Sequence, residues 1–144
     1  MSTNRPEQVA AMVEITLRRN ALRVKSSRND VADVCAFARS IGRDPSSRDR
    51  VYHAATYRLF RLDVMRAVAL AEAEWLRVFL VGTPEEASTA WAIVNANEKT
   101  VTRVTPETAA RVRRGWDAAA IEFHIADRER FAATCQRDYA AAIA

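Results

Sequence analysis

The chain has 144 residues, 49% hydrophobic and 28% charged, with only three Gly and four Pro. Those proportions suit one globular domain over residues 1–144 and leave too few turn formers for a β-sandwich or barrel, so a single all-α bundle of about five to seven helices is expected. The net charge is +4 but uneven: residues 1–66 hold 13 Lys or Arg against 7 Asp or Glu, whereas residues 67–144 hold 9 against 11.

The opening MSTNRPEQ has no apolar signal core, and no apolar run is both long and free of charge. A cytoplasmic protein with no membrane partner is therefore expected. Cys35 and Cys135 lie 100 positions apart, each in an apolar helical setting. The simplest reading makes them small buried hydrophobes, with a disulfide left open.

Pro6, Pro45, Pro84 and Pro106 read as helix starts, because a proline at the first helical position loses no hydrogen bond. The first helix is expected from Pro6 to about Val24, packing through Val9, Met12, Val13, Thr16, Leu17 and Leu22. The second begins at Asn29 or Asp30 and ends near Gly42, with Val31, Val34, Cys35, Ala38 and Ile41 as its stripe. A third, from Pro45 to Arg61, buries Val51, Ala54, Ala55 and Leu59, and nothing compels a break before the next.

Leu62–Val81 is the longest apolar run and the expected core helix. On a helical wheel Asp63, Arg66, Glu74 and Arg77 form one narrow stripe, opposite Met65, Val68, Ala69, Trp75, Leu76 and Phe79. Glu72 falls on the apolar side. It must meet an arginine from a neighbouring helix or sit at a groove edge, unless it is a poised acid in a pocket.

Gly82-Thr83-Pro84 is a turn, and Thr83 with Glu86 makes a capping box for a helix running to about Asn97, with Ala87, Ala90, Trp91 and Val94 inward. Asn95 to Val104 is a connector in which Val101 and Val104 allow a short extended piece. From Pro106 to about Ala142 the pattern is helical, with Val112, Trp116, Ala119 and Phe123 on one stripe. A change of phase near His124 predicts a break there, with Asp127 capping a final helix that carries Phe131, Cys135 and Tyr139.

Recognisable chemistry is sparse. There is no phosphate loop, dinucleotide fingerprint, CxxC or HExxH. Cys35, His53, His124 and Cys135 are zinc-ligand types, but their spacings match no common zinc module, so no metal or other cofactor is assigned. Cations gather at Arg18, Arg19, Arg23, Lys25 and Arg28, then at Arg58, Arg61 and Arg66, and again at Arg111, Arg113 and Arg114. The first cluster has the fewest acids nearby and is the preferred nucleic-acid contact, since phosphate binding needs cations on one surface rather than a particular sequence. Trp75, Trp91 and Trp116 are candidate anchors for a protein partner.

One short string carries a resemblance. Arg48-Asp49-Arg50-Val51-Tyr52-His53 resembles the signature of HEPN nucleases: Arg, a polar residue, three further residues, then His. The resemblance implies a small all-helical protein, usually a homodimer, that cuts RNA without a metal. It would make Arg48 the stabiliser of phosphate charge, His53 the general acid–base and Asp49 the residue that orients them. Arg48 and His53 are roughly 140° apart on a helix, so a dimer or a frayed helix start would be needed to bring them together.

The leading expectation is a small non-enzymatic binding protein, an accessory or regulatory subunit. It would contact nucleic acid, or a nucleic-acid-processing protein complex, through its basic N-terminal half. The HEPN-like ribonuclease and a protein-binding inhibitor or adaptor are the alternatives.

Overall fold

The computed structural model describes residues 4–97 and 118–143, and within them the chain is all-α. Among the described residues there are five helices: α1 (Pro6–Arg28), α2 (Val31–Ser40), α3 (Arg50–Leu80), α4 (Pro84–Asn97) and α5 (Ala118–Ile143). No described helix is long and apolar enough to cross a membrane. The connector from Asn95, Pro106, Val112, Trp116 and the Arg111–Arg114 cluster lie wholly or partly outside the described residues.

α3 is the axis of the bundle. It packs most extensively on α5 and α1, and α4 rests on α1. Its 31 residues join the two segments expected at Pro45–Arg61 and Leu62–Val81 into one helix. Its start is not Pro45, as expected, but Arg50. Asp44 accepts from the Ser46 N–H at 2.9 Å and the Ser46 hydroxyl at 2.7 Å, which closes a local turn around Pro45. Asp49 then caps the helix, accepting from the Val51 N–H at 2.9 Å.

Met12, Ile15, Trp75, Leu76, Phe79, Ala87, Ala90, Ile121 and Ile125 form the main core, drawn from α1, α3, α4 and α5. Phe37 links α2 to the rest, edge-on to Phe60 at 5.7 Å and to Tyr139 at 6.5 Å. Val9, Met12, Thr16, Leu59, Ala87, Ala90 and Val94 are buried as expected. Val31 and Val51 are not: they are 76% and 78% exposed, and Ala54 and Ala55 are also exposed. The buried side of α3's first turns is instead the one holding Thr56, Leu59 and Phe60, and Phe37 of α2 meets Phe60 there.

α5 runs straight through His124–Asp127, so the expected break is absent. Phe123 does not lie on the inward stripe: it is 62% exposed. The inward residues Ile121, Ile125, Arg128, Ala132, Cys135 and Tyr139 alternate steps of four and three, which keeps one face of a single helix inward. Asp127 caps nothing and pairs with Arg128 at 2.8 Å. Cys135 is buried, Cys35 is half-buried, and both are free thiols.

The helix ends follow local rules. Gly42, at φ 75°, ends α2: its N–H donates to the Arg39 carbonyl, and the Arg43 N–H donates to Ala38 at 2.8 Å. Thr83 and Glu86 form the reciprocal capping box, with bonds of 2.9 and 3.1 Å.

Candidate functional site

The described arginines divide into those engaged in structural contacts and those left outside. Arg19 is 3% exposed. Its Nε donates to Glu72 Oε2 at 2.5 Å and its Nη2 to Oε1 at 2.8 Å, a bidentate pair between α1 and α3. Its guanidinium lies over the Trp75 ring, 4.3 Å from the centroid. Trp75 Nε1 donates to Thr16 Oγ1 at 2.9 Å, and that hydroxyl donates to the Met12 carbonyl at 2.6 Å. These groups thus form one linked series through Arg19, Trp75 and Thr16. Glu72 meets its arginine from a neighbouring helix and also edges a groove, the two structural readings of that residue.

A second pair, between half-exposed Arg5 and buried Glu86, closes the far end. Arg5 donates through Nε and Nη2 to the two oxygens of Glu86 at 3.0 and 2.8 Å, and Glu86 is fully buried. The Arg5 backbone N–H also donates to it at 2.9 Å. The Arg5 hydrogen bond, helped by the Thr83 and Arg5 backbone donors, holds the Glu86 carboxyl down at about 2. Sequence reasoning found the capping role of Glu86 but had no signal for Arg5, which lies 81 positions away.

Arg43 and Arg61 are also committed to structure. Arg43 stacks on Tyr52 at 4.0 Å and donates to Thr56 Oγ1 at 2.6 Å. Arg61 donates to the Ser26 carbonyl at 2.7 Å and to Asn29 Oδ1 at 2.9 Å, capping the C-terminus of α1 with a cation.

The expected nucleic-acid set is therefore split. Arg19 is removed from the surface, so it does not belong to that set. Arg18 pairs with Glu74, both about half exposed. Arg23 lines a cleft between α1, α3 and α5. Lys25 and Arg28 stay exposed. Arg39, Arg48, Arg50 and Arg58 are exposed as well. None of these last six makes an ion pair with a described residue. The segment that carries them folds back on itself at one end of the bundle, tied by Arg61 to the end of α1 and by Phe37 to α3.

No family model, curated protein or solved structure matches the chain. In the nuclease-like string, Asp49 spends one carboxylate oxygen on two α3 N–H groups. Arg48 is exposed just before that cap, and half-buried His53 packs edge-on to Tyr52 at 6.1 Å. Among the described residues no group of three His, Cys, Asp or Glu side chains could hold a metal ion.

Proposed function

We propose that this protein is a non-enzymatic binding subunit that contacts nucleic acid, or a protein complex that processes it, through the end of the bundle built from residues 25–58. One observation carries the reading. Six exposed cations (Lys25, Arg28, Arg39, Arg48, Arg50 and Arg58) project there without ion pairs to described residues. Three of the four acids in that segment, Asp30, Asp44 and Asp49, are spent on nearby N–H groups. Those acids keep their negative charge, but they are held on the backbone rather than paired with the cations, which face outward where phosphates can displace their counterions.

Fluorescence anisotropy with labelled single- and double-stranded DNA and RNA, read across a salt series, tests this directly. Affinity should fall steeply with salt and depend little on sequence, as expected of contacts made to phosphates rather than to base edges. No binding at the lowest salt would end the nucleic-acid version.

A second reading has its own support. Val31, Val51 and Tyr57 are large, exposed and on the same segment, and apolar groups rimmed by arginines suit an acidic protein face. Pull-down after nuclease treatment separates the two: a partner retained without nucleic acid favours the adaptor or inhibitor reading. The ribonuclease alternative stands on Arg48 and His53, and RNA cleavage that His53→Ala abolishes in a folded protein would establish it.

A further inference from the structure

A cleft of about 290 Å³ opens between α1, α3 and α5, lined by Arg23, Met65, Val68, Glu72, Arg128 and Phe131 among others. That is at the lower edge of the volumes that hold small molecules, about 300–1,000 Å³. Its charges do not balance. Arg19 and Arg23 are one helical turn apart on α1 and look toward successive turns of α3. Arg19 meets Glu72, but the residues one and two turns earlier on α3 are Val68 and Met65, which offer no acid. Arg23 is exposed and makes no ion pair with a described residue.

From the opposite wall, Arg128 reaches the same space with its guanidinium 5.4 Å from the Phe131 ring centroid. Its partner Asp127 is the adjacent residue on α5, and both side chains are about 40% exposed. Such a pair contributes little and exchanges readily for a better anion. Glu72 adds no net repulsion, since both its oxygens are held by Arg19. Two cations with weak or absent partners thus border an apolar floor.

We propose that this cleft binds a small amphipathic anion, its acidic head between Arg23 and Arg128 and its apolar body on Met65, Val68 and Phe131. The proposal does not depend on the basic end or on its partner. A bidentate guanidinium contact supplies the recognition of a carboxylate, sulfonate or phosphate head. Burial of the body supplies the remaining affinity.

The test uses 8-anilinonaphthalene-1-sulfonate as probe and uncharged N-phenyl-1-naphthylamine as its control. The sulfonate should bind once per chain and the uncharged compound at least about tenfold more weakly, the factor expected from one good charge-assisted contact. Arg23→Gln with Arg128→Gln should cut sulfonate affinity by a similar factor without moving the thermal midpoint. Arg39→Gln, on α2 and outside the cleft lining, should leave affinity unchanged. Of the three methionine methyl signals in an NMR titration, that of Met65 should shift and that of buried Met12 should not. Displacement by decanoate or by 2-naphthoate supports the proposal and tells whether the natural body is an acyl chain or an aromatic ring. Equal binding of charged and uncharged probes, indifference to the two arginine substitutions, a silent Met65 methyl, or displacement by neither acid would each overturn it.

Discussion

The two ends of the bundle treat the same residue type in opposite ways. Where α1 begins and α3 and α4 meet, Arg5 is bonded to buried Glu86 and to the Val81 carbonyl, tying the start of one helix to the turn between two others. Where α1 ends and α3 begins, the acids serve as caps, and apart from Arg43 and Arg61 the arginines are left over. The contrast shows that charge balance is settled contact by contact. A net charge of +4 says nothing about where unmatched cations will stand.

Breaking the inward network should have the largest effect. Glu72→Ala leaves Arg19 buried without its counter-charge and is expected to cost about 3 kcal/mol, whereas replacing both Arg19 and Glu72 with Met should recover much of the loss. Urea denaturation of the two variants measures the difference, and equal stability would show that the pair is not a buried unit.

Acid titration probes the closed end. The Glu86 carboxyl lies at about 2 in the folded chain against an ordinary 4.5. The folded state therefore takes up this proton less readily than the unfolded state. The stabilisation is fully present above 4.5 and disappears as pH falls from 4.5 towards 2. Glu86→Gln should be less stable at pH 7 and show a shallower loss across that window, read from urea midpoints at successive pH values.

Thr16→Val keeps the shape of the core but leaves the Trp75 Nε1–H, buried with its ring, without an acceptor. A loss of about 2 kcal/mol is expected from an orphaned buried donor. Gly42→Ala is milder. Nothing lies near a Cβ built there, so only the left-handed backbone at φ 75° opposes it, a cost of about 1 kcal/mol in unfolding free energy, read from urea denaturation.

At the basic end, substitution should scarcely touch the fold. Arg48→Gln, Arg50→Gln and Arg58→Gln together should change stability by no more than about 0.5 kcal/mol, as exposed positions do. Each residue that contacts phosphate should also lower the slope of log affinity against log salt by about one. A full salt slope in the triple variant would move the nucleic-acid contact elsewhere.

Much of the fold was legible in the sequence, for local reasons. Thr83 and Glu86 specify a helix start within four residues, and Asp30 and Gly42 bracket α2 closely. The errors arose where two local signals competed. Asp44-Pro45 and Asp49 can each open a helix; Ser46 gives Asp44 a turn of its own, and Asp49 takes the cap. In α5, Phe123 drew the stripe toward its own face because an aromatic is usually inward, yet the smaller Ile121 and Ile125 are the buried pair. The cleft was visible only as the oddity of Glu72 on an apolar face.

What the sequence determined by itself is the helical alphabet of this protein: apolar periodicity, capping residues and a mid-chain run too oily to stand in water alone. These act within a few residues of one another. What only tertiary structure decided is the fate of each charge. Arg18 and Arg19 are neighbours in the chain, but a helix turns them about 100° apart. Arg18 reaches Glu74 at the surface, while Arg19 is sealed between Glu72 and Trp75. No rule confined to one helix separates them, because what each residue becomes depends on which face of a second helix arrives beside it.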